Sequence, residues 1–72
     1  MSADRLTSYA ELAQVVEAIP VLVRERRRAG GLSMRAAARE LGVSASTVQR
    51  IEEGQDYNSR LLPALLCWLG QH

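Results

Sequence analysis

Between Ser33 and Gly54 the apolar positions fall into two short helical stripes. Met34, Ala37, Ala38 and Leu41 recur at i, i+3, i+4 and i+7, on one side of a helix, while Arg35 and Arg39 lie four apart on its solvent side. Further on, Val48 and Ile51 make a narrower stripe with Thr47 at its edge. At about 100° per residue, Ala45, Ser46, Gln49, Arg50 and Glu53 then share the opposite face. Ser33 and Ser44 stand just ahead of the two stripes, where a hydroxyl accepts a bond from an early helix amide. Leu41-Gly42-Val43 supplies the stop between them, because Gly42 suits the left-handed position that ends a helix and Val43 returns the chain to the core.

The flanks extend this pattern. Met1 to Thr7 is expected to fray, and Ser8-Tyr9-Ala10-Glu11 has the order of a capping box that opens a helix to about Ala18. Its apolar stripe is Tyr9, Leu12, Ala13 and Val16, extended by Ile19, with Glu11, Gln14 and Glu17 facing water. Pro20 fits the first turn of a second helix from Val21 to about Ala29, with Leu22 and Val23 inward and Gly30-Gly31 as its end. After Gly54 a polar loop leads to Asn58 or Ser59, either of which caps a last helix of about Arg60 to Leu69 with Pro63 in its first turn. Leu61, Leu62, Leu65, Leu66, Trp68 and Leu69 leave that helix almost no polar face, so it must be covered on more than one side. The expectation is an all-α single domain over residues 1–72 of about five helices: an added N-terminal helix at 8–18 and a core at 20–70, with 33–54 the helix-turn-helix proper.

Seventy-two residues allow one small core, for which association is a useful source of extra stability. The apolar fraction of 47% is enough for a folded chain. The net charge of +1 says little, but its distribution says more: eight of the nine arginines lie between residues 19 and 60, and there is no Lys. Arginines 24, 26, 27 and 28 are expected to be mostly solvated or turned to phosphate. The lone Cys67, in an apolar run, is expected to be a buried thiol in a reducing cytoplasm. One Cys and a terminal His72 make no metal site, no cofactor motif is present, and no Ser-His, Cys-His or carboxylate pair suggests an enzyme. Met1 to Tyr9 is too polar for a signal peptide, and Leu61 to Leu69 too short to span a membrane.

A helix that is small at its N-terminal end, with Ser, Gln and Arg beyond, suits a DNA major groove. At this point a resemblance enters. Ala36 to Gly54, AAARELGVSASTVQRIEEG, resembles the helix-turn-helix of the phage Cro and lambda-repressor (XRE-type) family, and the similarity extends to Val23–Gly31 and to Arg60–Gly70, about two thirds of the chain. The resemblance implies a lambda-repressor-like fold and a DNA-binding transcriptional regulator that reads bases with Ala45, Ser46, Gln49 and Arg50. Ser33, Arg35, Thr47, Asn58 and Arg60 would contact phosphate; Met34, in the place of a family amide side chain, would not. It also implies an ion pair between Arg27 and Glu52, although Arg26 stands where the family has an apolar residue and competes for that role. Many relatives continue past this point with a helix that contributes to their dimer interface, so Leu66 and Trp68 are candidate dimer contacts. The added N-terminal helix is expected either as a strut that covers the core or as a dimerisation element; as a strut, its stripe Tyr9 to Ile19 packs on the last helix in place of the missing element. The partners implied are double-stranded DNA with a palindromic operator and a second copy at least on DNA, in a bacterial or prophage setting, with no small-molecule ligand. A recombination directionality factor, an antitoxin, or a protein-interaction adaptor that retains the fold are the alternatives.

Overall fold

The computed structural model describes residues 2–70, with side chains from Tyr9 onward except that of Leu12. Four helices follow one another: α1 (Ser2–Ala29), α2 (Met34–Leu41), α3 (Ala45–Glu52) and α4 (Leu62–Leu69), the last entered through a 3-10 turn at Ser59–Leu61. The fold is all-α as expected, but the helices expected at 8–18 and from 21 are one continuous element, and helix already covers Ser2 to Thr7. Pro20 lies inside it. A proline there forfeits one main-chain bond and crowds the preceding turn, at a cost of about 3 kcal/mol. A break would do worse. A helix starting at Pro20 would be capped by Ile19, which has no side-chain oxygen, and no Gly or Asn ends the preceding turns. Ile19 and Val23, on either side of the proline and on one face, are both 0% exposed, and an unbroken helix keeps both in the core.

Twenty-eight residues at about 1.5 Å each make a rod of about 42 Å, close to the 44 Å long dimension of the molecule. Among its described side chains, burial begins only at Ala18 and Ile19. Tyr9, Ala13, Val15 and Val16 are exposed, so the expected seating of the Tyr9–Ile19 stripe on α4 fails except at Ile19. A helix that runs straight through Pro20 carries its first turns past the bundle instead of back over it. Leu12, also part of that stripe, lies outside the described side chains.

The core consists of two side chains from each helix: Ile19 and Val23, Ala37 and Ala38, Val48 and Ile51, Leu65 and Trp68. The two alanines of α2 are the smallest members and sit where α2 meets α3, which lets the helix axes approach closely. Both N-terminal caps form: Ala36 N–H donates to Ser33 Oγ at 3.1 Å and Thr47 N–H to Ser44 Oγ at 3.2 Å. Between them Gly42 takes φ 76°, a region closed to most side chains. Its N–H donates to the Arg39 carbonyl at 3.3 Å and that of Val43 to Ala38 at 2.9 Å, the paired bonds of a Schellman stop. The same pair of bonds recurs at Gly31 and Gly54.

Trp68 corrects another expectation. Its ring is buried at 3% exposure rather than left at an edge for a partner. Being three residues from Leu65 it shares the inward face, and its polar N–H is satisfied there, donating to Glu40 Oε1 at 2.8 Å. Arg26 covers it: the guanidinium carbon lies 4.5 Å from the ring centroid, and Arg26 Nε donates at 2.6 Å to the Trp68 carbonyl at the end of α4. That carbonyl is one of those a helix end leaves unpaired, and a cation is the favoured cap. So an Arg replaces an apolar residue on α1 without leaving a buried charge unpaired.

Arg27, one position on, turns to α3. Its Nε and Nη2 donate to the two carboxylate oxygens of Glu52 at 2.7 and 3.0 Å, and its Nη1 to the Leu32 carbonyl at 3.2 Å. Arg24 adds a weaker contact to the same carboxylate at 3.5 Å. Glu52's side chain is 2% exposed and Arg27's 15%. The hydrogen bonds from Arg27 hold the Glu52 carboxyl below its ordinary pKa against the opposing effect of burial, and the same bonds raise that of Arg27.

Removing the charge of one partner in such a pair costs about 3 kcal/mol or more, so Glu52→Gln should lower the melting temperature by roughly 15 °C. Because the folded Glu52 pKa is depressed, its contribution is complete above the unfolded value of about 4.3 and disappears as pH falls through the folded value. The gap between wild type and Glu52→Gln, measured by thermal denaturation, should therefore be constant near neutrality and shrink below about pH 4; equal curves at pH 7 would mean that the pair adds no stability. Ala37→Leu should lose about 1–3 kcal/mol by overpacking, seen as an earlier denaturant midpoint, since Ala37 is 0% exposed.

Candidate nucleic-acid interface

The α3 helix is held at both ends and along one side, and what remains outside is polar. Val48, Ile51 and Glu52 are buried; Ser46, Gln49, Arg50 and Glu53 are exposed. These four are spaced i, i+3, i+4 and i+7, one solvent face of a helix whose roll is set by the core on one side and by Arg27 at its end. Ala45 is half-buried and packs against the core, so it shares that face only at its edge. Within the face, Gln49 Nε2 donates to Glu53 Oε2 at 3.2 Å, and Gln55 Nε2 donates to Glu53 Oε1, also at 3.2 Å. The bracket steadies Gln49 and leaves its carbonyl oxygen and second N–H for a ligand. Sequence reading did not single out Glu53 or Gln55 for this; the four-residue spacing of Gln49 and Glu53 was the available signal. Arg50 makes no hydrogen bond or ion pair among the described residues and projects as a free fork of donors.

The residues that the resemblance assigned to phosphate lie at the start of α2, on α3 and in the turn before α4. Ser33 and Arg35 are exposed at the start of α2. The Ser33 oxygen accepts from an amide, which leaves its own proton to donate outward. Thr47 is half-buried, and its hydroxyl lies 2.9 Å from Ser44 Oγ inside the cap, so its hydroxyl is less available than those of the exposed residues. Asn58 caps the 3-10 turn by accepting from Arg60 N–H at 3.0 Å, and both residues are exposed. The amide start of α2, that of α3 and the Asn58–Arg60 turn are thus three places with N–H groups or cations, the chemistry that holds an anionic backbone.

The arginine run on α1 divides. Arg26 and Arg27 are bound to α4 and α3, Arg24 reaches Glu52, and Arg28 is exposed. The expectation that most of the run is solvated or turned to phosphate therefore gives way to one in which two of its members hold the bundle together. Leu66 is 39% exposed on the outer side of α4, whereas Trp68 is withdrawn into the core, so of the two proposed dimer contacts only Leu66 is reachable. Cys67 is exposed and not the buried thiol expected, because two residues from Leu65 it turns to the far side of the helix. Burial raises the Tyr57 phenol pKa. No cluster of three His, Cys, Asp or Glu side chains that could hold a metal occurs among the described residues, and none of their helices is long and apolar enough to cross a membrane.

A model of a helix-turn-helix domain matches residues 21–66, well over half of the chain and every segment from the second half of α1 into α4. No curated protein and no solved structure gives a significant match. The family match coincides with the Ser-capped helix pair around Gly42 and is consistent with the lambda-repressor-like resemblance of Ala36 to Gly54. The chain belongs to the helix-turn-helix domain family.

Proposed function

We propose that the chain is a sequence-specific DNA-binding transcriptional regulator, a Cro-like protein or minimal phage repressor, that sits as a homodimer on a palindromic operator. The observation that carries the reading is the exposed Ser46, Gln49 and Arg50 face of α3, on a helix whose opposite side is locked by Val48, Ile51 and the Glu52 pair. A helix of this width enters the major groove. Arg50 holds guanine O6 and N7, Gln49 pairs with adenine, Ser46 serves either, and the small Ala45 allows close approach beside a thymine methyl group. Ser33, Arg35, Thr47, Asn58 and Arg60 fix the register on the backbone, with Thr47 acting through its amide end of the helix more than through its hydroxyl. Two copies would place their α3 helices about 34 Å apart, one turn of the duplex.

The first test is a fluorescence titration against random duplex at two salt concentrations: affinity should fall steeply with salt, as counterion release requires. Binding indifferent to salt and to sequence would favour an adaptor that retains the fold. With an operator selected from a random pool, Arg50→Ala should flatten preference at one base pair by about 1–3 kcal/mol. Arg60→Ala should weaken all sequences alike and lower the salt slope by about 1. Uniform weakening by Arg50→Ala, with preference intact, would make Arg50 a phosphate contact.

A further inference from the structure

From Tyr9 to Glu17 every described side chain of α1 is exposed. Tyr9 is 62% exposed and Val16 38%, yet the stripe they begin continues into Ile19 and Val23 at 0%. Burial stops while the apolar pattern goes on. Next to this arm an open groove of about 430 Å³ separates α1 from the segment that follows α3; Val16, Pro20, Tyr57 and Leu62 line it, together with Glu17 and Asp56. An apolar slot that also holds carboxylate acceptors fits a flat side chain with a single donor at its tip, and that describes tyrosine. The chain's own Tyr9 does not reach it. Tyr9 precedes Val16 by two turns on one rigid helix, about 10 Å along the axis, which is more than the side chain spans.

The geometry points to a second copy of this chain as the occupant: two α1 arms pair antiparallel about a two-fold axis, and each Tyr9 enters the groove of the other copy over Val16. The inference rests on the homodimer of the proposed function and names its surface. A two-fold interface needs one patch that carries both the knob and the hole, and here both lie on a single helix face, two turns apart. The ring packs on Val16, Pro20 and Leu62, while the hydroxyl donates to Glu17 or Asp56. The far wall of the groove, Gln55 to Ser59, contains Asn58 and leads to Arg60, so a seated partner also steadies the turn that faces phosphate. The pair is weak in free solution and completed on the duplex, where two copies are held at high effective concentration.

The test uses the full chain, by sedimentation equilibrium and by titration of the selected operator. Tyr9→Ala should leave the melting temperature of the dilute protein unchanged, since the side chain is mostly exposed. It should raise the dimer dissociation constant roughly ten-fold or more, as loss of an aromatic anchor does. Cooperative filling of the operator should disappear while binding to a single half-site persists. Val16→Arg should do the same, and Tyr9→Phe should fall between wild type and Tyr9→Ala. If Tyr9→Ala dimerises as wild type does and Leu66→Arg does not, the outer face of α4 is the interface and the inference is overturned. A wild-type protein that stays monomeric both free and on the operator overturns it too. A dimer that depends on Tyr9 but binds no duplex would uphold the pairing and defeat the DNA-binding reading instead.

Discussion

A carboxylate that is 2% exposed at the end of α3 determines where the outer face of that helix points. Glu52 leaves water at a cost of several kcal/mol, and only a partner with matched geometry offsets it. Arg27 supplies two parallel hydrogen bonds at 2.7 and 3.0 Å, and a bidentate contact restricts rotation as well as distance. A roll of α3 by one residue would swing its exposed face by about 100° and would pull Glu52 away from Arg27. With Ser44 fixing the first turn and Arg27 fixing the last, a helix of eight residues, too short to be stable alone, becomes a rigid mount. The third donor of Arg27, to the Leu32 carbonyl, ties the same side chain to the turn that leads into α2.

Seen from this pair, the arginines of α1 are structural before they are electrostatic. Adjacent residues on a helix diverge by about 100°, so Arg26 and Arg27 can serve two different neighbours, one at the carbonyl end of α4 and the other at the carboxylate end of α3. Each meets the helix terminus that favours a cation. Arg27 shares its charge with Glu52, whereas Arg26 is held by a neutral carbonyl and ring and keeps its charge against the end of α4. Besides Arg24, the exposed arginines among the described residues are Arg28, Arg35, Arg39, Arg50 and Arg60, spread over the end of α1, α2, α3 and the turn before α4. In the proposed complex these are the cations that would meet the phosphate backbone or the bases.

What was legible in the sequence was local. The caps at Ser33 and Ser44, the stop at Gly42 and the stripes of α2 and α3 each depend on side chains within a turn or two of one another, and the pattern states them directly. Two features were not local. Pro20 was read as a start because the rule for proline in a first turn considers one residue, whereas the choice between break and continuation depended on Ile19 and Val23 both finding the core, and on Ile19 being unable to cap. Trp68 was expected at a dimer contact; what brings it in is Arg26 on α1 and Glu40 on α2, each far away in sequence. For the outer face of α3, the residues that are free to meet a ligand follow from spacing alone. Which of them meets a base and which a phosphate is chemistry the sequence leaves to the partner, and those assignments stand as proposals.

The long α1 would also set how the proposed association and DNA contact influence each other. Its C-terminal half is core, its middle is one wall of the groove, and the opposite wall is the segment leading to Arg60. If a second copy seated in the groove steadies that segment, it strengthens the phosphate contact by some factor, and reciprocity then requires that bound DNA strengthen the pairing by the same factor. A weak arm-to-arm contact is enough under that linkage, because the duplex holds the two copies at high effective concentration. A tight one would gain less, since a dimer already complete in solution has no further association for DNA to drive. An arm whose described side chains include an exposed tyrosine and two exposed valines is the form such conditional pairing would take in a domain with eight apolar side chains in its buried core among the described residues.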